Sequence, residues 1–232
     1  MARITRKELK SDKFAQEIGL TVTFFEEHQK LIVRYGMIAA VVGLLIAGYV
    51  IYRRHEHVAR EQALTKAIKV QETAVGPSAN GSQGFPTQAI KDQEALRVFT
   101  DLRNKYSGSA EGEIAEYYLG AIQADQGKLA EAEKSFQEAA QKGDQNYASL
   151  AKLSLAQIYF ADGRSDLGER TLRELIAKPT NFVSKEQATI SLARFLMLKK
   201  PAEARKLLDP LRNQPGEVGQ VALQVYGEIA PQ

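Results

Sequence analysis

Leu119-Gly-Ala-Ile-Gln-Ala-Asp-Gln-Gly-Lys-Leu-Ala-Glu-Ala-Glu-Lys-Ser-Phe-Gln-Glu-Ala139 decides the fold. It reads as the end of one helix, a turn at Asp125-Gln126-Gly127, and the start of a second helix. Gly127 stands where a helix end takes up a left-handed residue. Ala132, Phe136 and Ala139 then recur at i, i+4 and i+7, one face of a helix.

The same pattern is written four times. Ala95, Ala132, Gly168 and Ala204 are spaced 37, 36 and 36 residues apart. Four positions later stand Phe99, Phe136, Leu172 and Leu208, and three further on Leu102, Ala139, Leu175 and Leu211. A small residue lets a neighbouring helix approach, and the large residue one turn later fills the space beside it. A second helix type precedes this one, marked by Leu119-Gly120, Leu155-Ala156 and Leu192-Ala193. Turns at Asp125-Gln126-Gly127, Asp162-Gly163 and Lys199-Lys200-Pro201 separate the two types, with Pro201 suited to the first turn of a helix. Repetition at this period predicts an all-α solenoid of stacked helix pairs.

The helix pair resembles the tetratricopeptide repeat, with Leu-Gly in its first helix and Ala-x₃-Phe-x₂-Ala in its second. Three departures mark divergent repeats. The chain has no Trp, only Tyr159 occupies the usual Tyr position, and the turn before Pro201 is one residue short. Val218, Val221, Ala222, Val225 and Ile229 form a last amphipathic stripe with no following partner, as a terminal capping helix does. The repeat region is expected over 88–230.

Upstream, residues 35–52 run for eighteen positions without a charge, between Arg34 and Arg53-Arg54. At about 1.5 Å per residue this covers roughly 27 Å, close to a ~30 Å hydrocarbon core. Eight aliphatic residues at about −0.3 to −0.6 kcal/mol each favour insertion. Tyr35, Tyr49 and Tyr52 lie near its ends, where amphipathic rings prefer the interface. The run reads as an uncleaved transmembrane helix, since no small-x-small cleavage site follows it before Arg53.

Residues 1–34 are a mixed-charge tail, in which Phe14, Ile18, Val22 and Phe25 make one helical stripe. That stripe suits either an interfacial amphipathic helix or an ordinary partner-packing one. Residues 53–75 contain no breaker and read as a helical extension, the first helix of repeat one. A loop follows over 76–87, dense in Gly and Pro and carrying the formal glycosylation sequon Asn80-Gly81-Ser82.

Little in the chain points to catalysis. There are no cysteines, which excludes disulfides, thiol chemistry and Cys-type zinc sites. His55 and His57 are two apart and on a helix point about 160° from one another, so they cannot share a metal. Ser149-Leu-Ala-Lys152 matches a Ser-x-x-Lys pattern, but the chain holds no Ser-Asp-Asn or Lys-Thr-Gly partner. The formal net charge of +3 is too small to argue for nucleic acid. No enzyme, cofactor or metal is expected.

What a solenoid offers is a groove lined by its first helices. The repeat register puts Ile114, Tyr117, Tyr118, Ala121, Gln157, Phe160, Arg194 and Met197 on or near that face. Some tetratricopeptide domains clamp a peptide C-terminus with Lys, Arg and Asn. Here those positions are mostly apolar or aromatic, which disfavours carboxylate capture and favours a helix or an unfolded apolar segment. The whole layout, with Phe24-Phe25-Glu26-Glu27-His28 before the span, resembles the ancillary subunits of the Sec translocon of the bacterial inner membrane. That resemblance implies a cytoplasmic tail, a periplasmic repeat domain, and partners among translocon subunits, chaperones and emerging polypeptides. The alternative is a cytoplasm-facing tether that recruits a soluble partner in signalling or envelope assembly.

Charge does not settle the orientation by one rule. The tail carries seven Lys/Arg against five in 53–75, which keeps the N-terminus inside. Counting only twenty residues on each flank reverses the balance, with Lys30 and Arg34 against those five. The cost of translocating seven positive charges, and the family layout, favour a cytoplasmic N-terminus.

Overall fold

The computed structural model describes residues 6–76 and 84–229, with side chains from residue 30 onward except residue 32. The side chains of the tail's amphipathic stripe, and the sequon, lie outside what the structure describes. The chain is helical throughout its named elements. Its one extended feature among the described residues is an isolated bridge between Val75 and Phe85. The helices are α1 (Arg6–Glu72), α2 (Gln88–Lys105), α3 (Ala110–Asp125), α4 (Leu129–Lys142), α5 (Gln145–Ala161), α6 (Ser165–Ala177), α7 (Lys185–Leu196), α8 (Pro201–Leu208) and α9 (Glu217–Glu228). Two compact units divide at Val58 and Ala59.

In the first unit, the apolar part of α1 is long and apolar enough to cross a membrane, and none of that window is buried in protein. Leu44 and Leu45 are 73% and 68% exposed. A helix apolar on every side is left uncovered by the rest of this chain, the pattern a membrane-crossing helix has. Gly36, Gly43 and Gly48 have nothing within 4 Å of where a Cβ would stand.

The second unit is a chain of helix pairs. Each helix from α2 to α9 packs on its sequence neighbour, and first helices also meet across repeats, α3 on α5 and α7 on α9. The small and large residues of the repeat are the core: Ala95, Ala132 and Ala204 are fully buried, as are Phe99, Leu172 and Leu208. Ala67, near the end of α1, is buried in the cluster of Ala95, Phe99 and Leu119. The end of α1 therefore supplies the first helix of the first pair.

The Leu-Gly pair has a visible cause. A Cβ on Gly120 would stand 2.8 Å from the Phe136 ring, and one on Gly168 would stand 2.6 Å from the Phe160 ring. Gly127 and Gly163 adopt φ of 74° and 77°, the left-handed turn conformation. Burying a Phe or Leu in each such interface contributes about 1.5–3 kcal/mol.

From α3 to α8 the helix starts fall into two classes. The first helices α3, α5 and α7 are capped by Ser109, Asp144 and Ser184, whose side chains accept from Gly112 N, from Asn146 and Tyr147 N, and from Gln187 N. The second helices α4, α6 and α8 begin at Lys128, Arg164 and Lys200, with no side-chain cap. A cation at a helix N-terminus opposes the helix dipole. Two of the three are offset by ion pairs to the preceding repeat. Arg164 donates two bonds to Glu133, at 2.8 and 2.7 Å, and Lys200 donates to Glu169 at 2.9 Å.

Candidate partner-binding groove

The first helices line one face of the repeat unit, and two kinds of surface share it. Toward α3 the face is aromatic. Phe99 stacks on Tyr118 at 4.7 Å, and Tyr118 lies 6.3 Å from Tyr147. Tyr117 lies 5.5 and 5.6 Å from Tyr118 and Tyr147, and Tyr147 lies 5.4 Å from Phe182. The row thus runs from the α2–α3 core to the half-exposed Phe182 in the α6–α7 connection. Burial pushes the Tyr118 phenol far above the ordinary tyrosine range, with the Tyr147 hydroxyl adding to the effect. Tyr117 is also raised by burial. These rings stay uncharged at any physiological pH and act through apolar contact and neutral hydrogen bonds.

Toward the C-terminus the face opens into a groove of about 470 Å³ between α5, α7 and α9. Its floor is apolar, with Leu153 and Ile190 below and Val218 and Val221 on the α9 wall. Gln157, Gln187 and Ser191 stand among them, with Arg194 on one side and Glu217 on the other.

Four of the eight sequence-derived residues lie on these surfaces, and the others do not. Gln157 and Arg194 are exposed and line the groove. Tyr117 and Tyr118 belong to the aromatic row, with one side packed against the core. Ala121 packs against the cluster of Ala132 and Phe136. Phe160 stacks on Phe195 at 3.9 Å and lies over Gly168, so it packs between helices. Met197 also packs against the C-terminal core, and Ile114 is half-buried on α3.

Sequence reasoning missed Tyr147, Phe182, Gln187, Ser191 and Glu217. The stripe of α9 carried a signal, since Val218 and Val221 are two of its five apolar positions. Reading α9 only as a cap hid its second role as a wall. Phe182 had no signal, because it lies between helices and no periodicity reaches it.

A separate polar pocket of about 440 Å³ lies between α2, α3 and α4, lined by Arg103, Glu113, Glu116, Glu138 and Lys142. Glu116 is almost fully buried, 3.4 Å from Arg103. Burial raises its carboxyl above the usual range despite Arg103, and nearby Glu138 pushes the same way. The Arg103–Glu116 pair at its edge links α2 to α3, where the first two repeats meet. Ser149 donates to Asn146 O and bonds Thr180, while Lys152 pairs with Glu174, which assigns the Ser-x-x-Lys match to packing. Among the described residues no cluster of His, Asp and Glu is arranged to hold a metal ion.

An α-helical repeat with a neutral, partly aromatic face defines a class of protein-interaction modules, typically non-catalytic. Residues 23–187 match a family model described as a tetratricopeptide repeat-like domain. The match spans well over half the chain, and the protein belongs to that family. No curated protein and no solved structure matches the chain.

Proposed function

We propose that the protein is a membrane-anchored scaffold, with residues 35–52 in the bilayer and the repeat region, 88–230, binding other polypeptides through its first-helix face. The observation that carries this reading is one chain holding both an uncovered apolar helix and a neutral groove. Residues 53–75 join the anchor to the first repeat, and 76–87 form a connecting loop. The N-terminus lies in the cytoplasm and the repeats in the periplasm of a bacterial inner membrane, where translocon subunits, chaperones or emerging polypeptides are the partners. The family layout and the seven tail charges support that assignment. The groove is expected to act without cofactor, metal or catalytic residue.

A second reading rests on the five Lys/Arg that follow the span within 53–75, which suit a cytoplasmic repeat domain recruiting a soluble partner. A reporter fused after Gln232, active in only one compartment, separates the two. Periplasmic activity is expected, and cytoplasmic activity would leave the second reading standing.

A further inference from the structure

We infer that the joint of α2, α3 and α4, where the first two repeats meet, is a proton-sensitive clasp: Glu116 of α3 and Glu138 of α4 hold one proton between them and firm the joint as the medium turns acid.

The geometry of Glu116 sets this up. Its side chain is 5% exposed, yet among the described residues its carboxylate accepts one bond, from Arg103 Nη1 at 3.4 Å. A charge-assisted bond of this kind is ordinarily about 2.7–2.9 Å long, and an ionised carboxylate has room for several. Two other glutamates show the contrast. Glu133 accepts from Arg164 at 2.8 and 2.7 Å, and Glu169 accepts from Arg173 at 2.7 Å and from Lys200 at 2.9 Å. Arg103 is itself 39% exposed and gives a second donor to Asn104. Burial without full pairing favours the neutral acid.

The pocket supplies an acceptor for the proton. Facing Glu116 are Arg103 from α2, Glu113 from α3, and Glu138 and Lys142 from α4, around about 440 Å³. Among the described residues Lys142 pairs with Glu138, at 3.6 Å. A proton taken from solvent onto Glu116 lets it donate an O–H to the Glu138 carboxylate, so repulsion between like charges becomes a bond. Burial is the larger cause that holds the Glu116 carboxyl high, and Glu138 acts in the same direction.

Glu133 and Glu169 answer acid with the opposite sign. Bonds from Arg164 hold Glu133 below the usual range, and bonds from Lys200 and Arg173 do the same for Glu169. A raised folded pKa adds stability as pH falls toward the unfolded value, whereas a lowered one withdraws it only below that value. Mild acid therefore firms the first joint while the later contacts stay intact. Ala67 of α1 packs in the same α2–α3 cluster, so the clasp acts on the repeat that continues from α1.

The test uses the full chain in nonionic detergent, with unfolding midpoints taken from about pH 7.5 to about pH 4.5, close to the ordinary glutamate value. Glu116→Gln, a permanent mimic of the neutral acid, is expected to raise the midpoint at the upper end and to lose that advantage at the lower end. A second measurement follows the side-chain carboxyl carbons of glutamate by NMR in the ¹³C-labelled chain. The signal that disappears in Glu116→Gln is expected to titrate above the ordinary range, and to move down toward it in Glu138→Gln. A Glu116→Gln chain less stable than wild type at neutral pH, or unable to fold there, overturns the inference, because the Arg103 pair then outweighs burial. A midpoint difference that stays constant with pH, or a Glu116 signal that titrates in the ordinary range or ignores Glu138→Gln, overturns it as well.

Discussion

Gly168 shows how one residue answers to its neighbours rather than to its repeat. The other three repeats place Ala at this register, and Ala is the better helix former by about 1 kcal/mol. The third repeat cannot use it, because the Phe160 ring would stand 2.6 Å from the added Cβ. Eight residues before Ala132 the chain has Ala124, and eight before Gly168 it has Phe160, so a larger side chain faces a smaller one. Gly168→Ala is therefore expected to destabilise, within the range of about 1–3 kcal/mol usual for overpacking. In a Phe160→Leu background the same change should be neutral or stabilising. Unfolding midpoints of the four variants in nonionic detergent check this as a double-mutant cycle. Glu133 carries a pH dependence. Bonds from Arg164 hold its carboxyl below the usual range. A lowered folded pKa contributes stability above the unfolded value, which is lost as pH falls through the folded one. Glu133→Gln should lower the midpoint at pH 7, and the difference from wild type should shrink as pH falls below the ordinary glutamate value of about 4.3. A constant difference across that range would show that packing, not charge, holds the contact.

The elements were legible where periodicity reached and illegible where contacts cross between repeats. The small-x₃-large pattern located α2, α4, α6 and α8, because each places its apolar residues at one helical spacing and the core accepts no other face. The terminal stripe located α9 for the same reason. The ion pairs between second helices were not read, although the signal exists: Glu133 to Arg164 and Glu169 to Lys200 both span 31 residues. The series stops at Lys128, because the equivalent upstream position holds Leu96 instead of an acid. Lys128 thus sits at the start of α4 without a side-chain cap, against the dipole. Lys128→Asp is expected to stabilise by about 0.5–1 kcal/mol, because a capping carboxylate replaces a cation there. Lys200→Asp is expected to destabilise, because it places a second anion beside Glu169. Thermal unfolding of both variants at low ionic strength separates a cap effect from an inter-repeat one. Matching shifts of the same sign would refute the distinction. Groove residues were legible only in part. Gln157 and Arg194 follow from register, whereas Tyr147 and Phe182 depend on how the α6–α7 connection folds back over α5, which no spacing encodes.

At the scale of the whole molecule, the sequence divides into a helix long and apolar enough to cross a membrane and a part that buries its own apolar surface, and in the anchored reading the charges flanking that helix decide orientation. The apolar stretch was legible because eighteen uncharged residues have few explanations, and the described helix leaves them uncovered. Orientation is a balance of two terms. Arg53, Arg54, Arg60, Lys66 and Lys69 follow the span, but Arg60 lies 3.2 Å from the buried Glu111, so part of that charge is neutralised once the repeats fold. The tail's seven cations are opposed by five acids, and acidic residues count for little in retaining a segment on the cytoplasmic side. The tail therefore holds the advantage, and it is removable. Replacing Arg3, Arg6, Lys7, Lys10 and Lys13 by Gln leaves only Lys30 and Arg34 before the span. A C-terminal reporter in that variant should move, in a substantial share of molecules, from periplasmic to cytoplasmic activity. Replacing Arg53 and Arg54 by Gln should leave it fully periplasmic. If the five-fold tail variant keeps its orientation, the repeat domain is carried across regardless of tail charge, and the span itself sets the direction of insertion.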